Sequence, residues 1–261
     1  MQLSFVSQNQ TFVADLSAGI DLSLSIGPQG DNPNAFHIQP AQFEPIRVGD
    51  FVGAVAEGGS ANCEVLTLCP HGNGTHTECV GHILKDRYTV PEALTQSYFL
   101  VQVLSVELDQ QQERSFLAEV ALHGKLQPAD ALCLRSLPNS EAKRSMLWSG
   151  NEPPYISEEA MQAIVAGRYT HLLTDFPSVD PEEDAGALAA HRIWWNVPSR
   201  EETLADPDGR FLNTVRRHAC ITELVYVPNS VEDGLYLLHI QTPSLRSDAV
   251  PSKPVLYPLL P

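Results

Sequence analysis

The 261 residues are 43% hydrophobic and 18% charged, enough apolar mass for a buried core and unlike the composition of a disordered tract. Asp and Glu outnumber Lys and Arg by 32 to 16, a formal net charge of −16. That field repels phosphate backbones and anionic lipid surfaces, so neither nucleic acid nor membrane is an expected partner.

No apolar run reaches the length of a bilayer span, and the first basic residue is Arg47, so the positive region of a signal peptide is missing. The cysteines, Cys63, Cys69, Cys79, Cys133 and Cys220, are odd in number and form no CxxC pair. A disulfide framework or zinc knuckle is therefore not expected, and a cytoplasmic setting is.

In chain order, residues 3–6 and 11–15 read as short strands, and Ile20 to Ile26 alternates like a third. Residues 27–46 are rich in Gly, Pro, Asn and Gln and read as a long loop of the kind that carries function. Strands follow near 50–56 and 63–69, a short helical start lies at 91–95, and Tyr98 to Leu108 is strongly β-prone. Ala131 to Leu134 is a short apolar strand. Ser157 opens a helix with Glu158 and Glu159 in its first turn and Gly167 at its end. Residues 170–175 read as a buried strand, 182–190 as helix or turn, and 199–210 as a charged surface excursion. Cys220 to Val227 and Gly234 to Gln241 read as the final strands. With no repeat, low-complexity tract or linker, one domain over 1–261 is expected.

The chemical centre is Pro70-His71-Gly72-Asn73-Gly74-Thr75-His76-Thr77-Glu78-Cys79-Val80-Gly81-His82, which places three of nine histidines beside a carboxylate and three glycines. In extended backbone His76, Glu78 and His82 share parity and can converge on one face. Imidazole and carboxylate suit Zn²⁺, Mn²⁺ or Fe²⁺. His71 has the opposite parity, and Gly72-Asn73-Gly74 could turn it back. The plainer reading is a glycine-rich turn with polar residues bonded to their neighbours.

This segment resembles the HxGTHxDxPxH signature of the cyclase family, which includes kynurenine formamidase and isatin hydrolase. Gly74-Thr75-His76 matches, Glu78 stands at the Asp position and His82 at the last His. Further stretches are similar in order: Asp21-Leu22-Ser23, Gln127 to Arg135, Phe176-Pro177-Ser178-Val179-Asp180 followed by His191, and Ile221-Thr222-Glu223-Leu224. The resemblance implies an α/β swivelling β/β/α domain, a mixed sheet with a few helices, assembled as homodimer or homotetramer. It implies a divalent metal, Zn²⁺ or Mn²⁺, held by His76 and Glu78, with His82, His191 and Glu223 as further ligands or acid–base groups.

The family's first His falls on Gly72, which cannot bind metal, and the motif's proline has become Val80. His218 is a rival to His191. The implied reaction is hydrolysis of an amide, formamide or cyclic amide of a small-molecule substrate. His82 would serve as general acid and base, with Glu223 orienting water or the imidazole and amides of the glycine turn facing the developing oxyanion. The competing expectation is a small-molecule-binding protein that has lost its metal.

Other residues have two readings each. Trp194 and Trp195 are candidates to wall an aromatic substrate pocket, or else lie in the core. Cys79 is either a soft ligand or a small buried residue, and His171 reads as a core histidine. Arg216-Arg217 reads as a solvated charge run rather than a carboxylate anchor. Ser178, Asp180 and His191 could form a triad, although no GxSxG elbow surrounds the serine.

Overall fold

Four strands of almost continuous apolar sequence, Tyr98–Glu107, Ala131–Leu137, His171–Thr174 and Cys220–Glu223, run parallel at the centre of a nine-stranded sheet in the computed structural model. It describes residues 1–112, 114–205 and 210–261. Strands of this kind need cover on both faces. Alternation sends Leu132 and Leu134 into a core shared with Met161, Ile164 and Trp194, from helices Glu158–Ala166 and Ala189–Trp195. Ala131 and Cys133 enter a second core with Val101, Val103 and Leu238.

Antiparallel strands extend the sheet on both sides. Beyond Cys220–Glu223 lie His76–Glu78 and then Ala249–Pro251; beyond Tyr98–Glu107 lie Gly234–Gln241, Lys253–Pro258 and Ile20–Asp21. A mixed sheet with few helices is the α/β architecture that the resemblance implies. The helix at Ser157 forms as its sequence dictates: the Ser157 hydroxyl accepts from Ala160 N at 3.1 Å, and Gly167 closes it. No helix among the described residues is long and apolar enough to cross a membrane, and all five cysteines are free.

Several local expectations change. The 20–26 stretch pairs only over Ile20–Asp21, with a single further bridge at Ser23, because Leu24 N donates instead to the Thr75 hydroxyl. The loop at 27–46 ends in a strand, Gln42–Pro45. Of the two readings for 182–190, turn holds up to Leu188, where Ala185 and Leu188 adopt positive φ values of 56° and 49°, and helix begins at Ala189. The excursion at 199–210 contains a helix, Arg200–Ala205, while 206–209 lie outside the described residues. Gly234–Gln241 is not the last strand: Ala249–Pro251 and Lys253–Pro258 follow it.

His171 is fully buried, as expected of a core histidine, with its Nε2 2.7 Å from the Thr222 hydroxyl. Burial alone pushes its pKa down to about 3. Its folded value therefore lies below the unfolded one, so the unfolded chain binds the extra proton first on acidification. Stability present above about pH 6.5 should be lost as pH falls toward 3, with a slope of up to about 1.4 kcal/mol per pH unit. Urea unfolding of the wild type and of His171→Gln across pH 7 to 4 checks this: the variant should lose that part of the slope.

Candidate metal centre

The site is built on the pairing of two short strands. His76–Glu78 lies antiparallel to Cys220–Glu223, with His76 opposite Glu223 and Thr77 opposite Thr222. Side chains alternate, so His76, Glu78 and Glu223 share one face, while Thr77 and Thr222 share the other and lie 2.7 Å apart at their hydroxyls. The parity argument describes His76 and Glu78, whereas His82 reaches the group from a short helical turn, Val80–His82, and not from extended backbone.

His71 joins them by a turn. Pro70–Asn73 forms one helical turn, held by Asn73 Oδ1, which accepts from Cys69 N at 2.7 Å. Gly74 then takes a φ of 150° and leads into the strand. The chain so bent places His71 Nδ1 3.2 Å from Glu78 Oε2. Gly72, where the family has its first His, packs against the 35–38 loop. A Cβ there would meet Ile38 Cδ1 at 2.1 Å and Ala35 O at 2.8 Å, so no larger residue fits. The imidazole nearest that position comes instead from His71, which lies with His76 and Glu78 in one donor group.

His191 arrives on the helix Ala189–Trp195. The Asp180 carboxylate accepts from Ala190 N at 2.7 Å and from His191 N at 3.2 Å, capping the helix, and from His191 Nδ1 at 2.5 Å. His191 Nε2 consequently faces Glu78 Oε1 at 2.9 Å. Glu223 is fixed by Val179 N, which donates to its Oε1 at 3.0 Å, while its Oε2 lies 3.4 Å from His76 Nε2. The Phe176 to Asp180 turn thereby holds one carboxylate and orients one imidazole.

His82 closes the group with its ring centroid 4.3 Å from that of His71 and 5.4 Å from that of His191. Asp248, which sequence reasoning missed, lies between two of them: Oδ2 is 3.0 Å from His71 Nε2 and 3.5 Å from His82 Nδ1. It follows a polar loop and precedes a proline-containing strand, so no motif marks it.

Charge explains the strength of these contacts. Glu78 and Glu223 are about fully buried, at 1% and 2% exposure, where an unpaired carboxylate is strongly disfavoured. Burial raises the Glu78 pKa, and the surrounding His82, His191 and His71 overcome it and hold the carboxyl well below its usual range. Burial likewise opposes protonation of His71, yet Asp248 and Glu78 push its pKa up to about 10. His191 is raised in the same way by Glu78 and Asp180. The pocket favours positive charge.

A divalent cation fits this chemistry. Two donor atoms, His76 Nε2 and Glu78 Oε2, are buried with no hydrogen-bond partner. Donor atoms lie within 4.8 Å of one another in three overlapping sets: His71, His76 and Glu78; Glu78, His82 and His191; and His71, His82 and Asp248. These are imidazoles and carboxylates only. Cys79 is buried with its thiol directed to Tyr88 O at 3.4 Å and belongs to none of these sets.

The group borders a cavity of about 290 Å³ whose apolar walls are Phe36, Ile38, Pro181 and Leu188. A larger, more open hollow of about 920 Å³ lies beside Arg192 and Arg200, and no donor set among the described residues opens into it. Trp194 and Trp195 do not wall the cavity as substrate-binding residues; of their two readings the core one holds. Both are fully buried; Trp195 N–H donates to Ala219 O at 2.8 Å and its ring stacks on His191, centroids 5.4 Å apart. Arg216 is not a solvated charge but covers Trp194 at 4.4 Å. His218 is exposed and outside the donor sets. The triad does not form, since His191 directs Nε2 to Glu78 and the Ser178 hydroxyl accepts from Asp180 N. Two amides of the glycine turn, Gly72 N and Asn73 N, both donate to Cys69 O and cannot face an oxyanion.

A sequence profile described as putative cyclase matches residues 15–181, a span that holds His71, His76, Glu78, His82 and Asp180 but stops short of His191, Glu223 and Asp248. No curated protein matches by sequence. Among solved structures, a predicted metal-dependent hydrolase from Bacillus stearothermophilus aligns with a TM-score of 0.60 at 13% identity, covering 92% of this chain and 97% of the other. Isatin hydrolase A from Ralstonia solanacearum aligns at 0.59 and 13% identity, covering 93% and 92%. The same enzyme from Labrenzia aggregata aligns at 0.59 and 12%, covering 92% and 93%. At such identities the likeness is one of fold.

The contacts of Gly72 generate a test. Gly72→Ala should destabilise the chain by about 1–3 kcal/mol, because the added methyl must displace Ile38 or the backbone at Ala35. Urea unfolding should show a lower midpoint with an unchanged slope, and a wild-type midpoint would refute the packing argument.

Proposed function

The chain belongs to the cyclase family, and from that premise we propose that it is a metal-dependent hydrolase that opens an amide, formamide or cyclic amide bond in a small, largely apolar substrate. The observation that carries the reading is the convergence of His71, His76, His82 and His191 on the buried carboxylates Glu78 and Glu223 beside one cavity. The fold likeness to isatin hydrolases supports a cyclic or aryl amide as the substrate class.

His71, His76 and Glu78 would hold the ion, with His191 and Glu223 completing the set; donors without thiolate favour Zn²⁺ or Mn²⁺. Such an ion supplies a water of lowered pKa and polarises a carbonyl. The remaining work falls to this chain's own groups. Phe36, Ile38, Pro181 and Leu188 offer apolar walls to a flat ring and exclude bulk water from it. His82 lines the same cavity with 27% of its side chain exposed, so it can take a proton from the attacking water and deliver it to the leaving nitrogen. Glu223, pinned by Val179 N and facing His76, acts as a ligand and positioner rather than as a mobile base. His71 removes the motive for reading Gly72 as the mark of a metal-free binding protein.

Assembly as a homodimer or homotetramer and a cytoplasmic setting complete the proposal. Apolar side chains exposed on the 42–67 arm, Val48, Phe51, Val55, Val65 and Leu66, support a contact with another copy.

Protein purified without chelator should carry near-stoichiometric Zn²⁺ or Mn²⁺ by elemental analysis and hydrolyse an aryl formamide or isatin-like cyclic amide. His82→Ala should lower kcat by about 10²–10⁴ with its metal content unchanged. A metal-free protein that gains no activity on addition of either ion would sink the proposal, and undiminished turnover in the variant would remove His82 from its role.

A further inference from the structure

Each imidazole facing Glu78 or Glu223 has its second nitrogen assigned by an acceptor. An imidazole that gives one nitrogen to a cation keeps its proton on the other, and that outer N–H needs an acceptor. His76 Nδ1 donates to Gly74 O at 3.0 Å, which turns Nε2 toward Glu223. His191 Nδ1 donates to Asp180, which turns Nε2 toward Glu78. The third case lies outside the segment that the family profile matches. His71 Nε2 donates to Asp248 Oδ2 at 3.0 Å, leaving Nδ1 toward Glu78 at 3.2 Å.

We propose that Asp248 is a positioning residue of the metal centre, fixing His71 as the Nε2–H tautomer so that Nδ1 is presented to the ion. The inference deepens the hydrolase reading and rests on it. Its physical basis is general: a metal-bound imidazole whose outer N–H is held by a carboxylate is a better-oriented and more basic ligand. Here the need is greater than usual, because His71 reaches the site from a helical turn in place of a residue at 72, and it is 22% exposed where His76 is buried. Unlike His76 and His191, it is not fixed by a fully buried setting.

The carboxylate comes from the far end of the chain. Asp248 immediately precedes Ala249–Pro251, which pairs with the ligand strand, Ala249 opposite Glu78 and Pro251 opposite His76. Asp248 O also accepts from Cys79 N at 2.9 Å. The backbone of residue 248 is therefore anchored to the ligand strand independently of its side chain. Removing the carboxylate should leave the strand in place and release only the His71 imidazole.

The test is zinc affinity, measured by competition with a chromogenic chelator, joined to ¹⁵N NMR of histidine-labelled, Zn²⁺-loaded protein. Asp248→Ala should weaken Zn²⁺ binding by about 10–100-fold at unchanged stoichiometry. Asp248→Asn, which keeps an oxygen acceptor, should recover most of that loss. In the wild type the His71 signals should show Nε2 protonated and Nδ1 on zinc, with that pattern lost in Asp248→Ala. Wild-type affinity in Asp248→Ala, or zinc on His71 Nε2, would overturn the inference. So would loss of one of two bound ions, because Asp248 would then be a ligand in its own right. Should Asp248→Ala fail to fold, Asp248→Asn at wild-type affinity together with the wild-type His71 signals decides the matter. Absence of zinc binding by the wild type itself would instead remove the hydrolase reading, a result the chelator titration distinguishes.

Discussion

Two carboxylates sit side by side in the interior of this protein, and neither has a lysine or arginine on it. Glu78 and Glu223 lie on adjacent antiparallel strands, almost wholly shielded from water. Carboxylates so placed must lose their charge or be surrounded by positive charge, since removing an ion from water costs several kcal/mol even after relaxation. The chain supplies imidazoles, which can carry a proton or yield it to a metal ion. Register makes this possible. With His76 opposite Glu223, the imidazole and both carboxylates of the pair share one face, while the hydroxyls of Thr77 and Thr222 and His171 Nε2 hydrogen-bond in a chain on the reverse face. A slip of one residue would exchange the two faces and put both carboxylates against the wrong groups.

The second requirement is direction. An imidazole offers two nitrogens, and only one of them can look inward, so an acceptor behind each ring decides which. Asp180 shows how economically this is arranged, because the same carboxylate caps the helix Ala189–Trp195 and holds the first-turn histidine. The negative charge is favoured at a helix start in any case. Within that helix the histidine and Trp195 are four residues apart and stack, so the buried tryptophan supports the ring from behind. Trp195 thus keeps an imidazole still from within the core.

What could be read from the sequence follows from which forces are local. The parallel strands and the helix after Ser157 are legible because continuous apolar runs and a hydroxyl cap act within a few residues. His76, Glu78 and Glu223 are legible through alternation and motif. The place of His71 is not, since it depends on a positive φ at Gly74 and on Ile38 filling the space beside Gly72. The last two strands escape notice because Pro251, Pro254 and Pro258 argue against strand. Their pairing is settled by neighbours far away in sequence: Ile240 pairs with Pro254 and His76 with Pro251. With those strands hidden, Asp248 is hidden too.

Burial grades the four histidines by task. In the proposed reading His76 and His191, enclosed and hydrogen-bonded at the outer nitrogen, serve as the permanent ligands. His71 is partly exposed and depends on Asp248. His82 is the most exposed and the most loosely held, its nearest carboxylate oxygen 3.5 Å away. A ligand gains from rigidity because every departure from its direction weakens the bond to the ion. An acid–base group must gain and lose a proton in each turnover, and a firm hydrogen bond to one protonation state would oppose the other. The looseness of His82 is therefore the property that suits it to move protons, beside a cluster whose other members are held still.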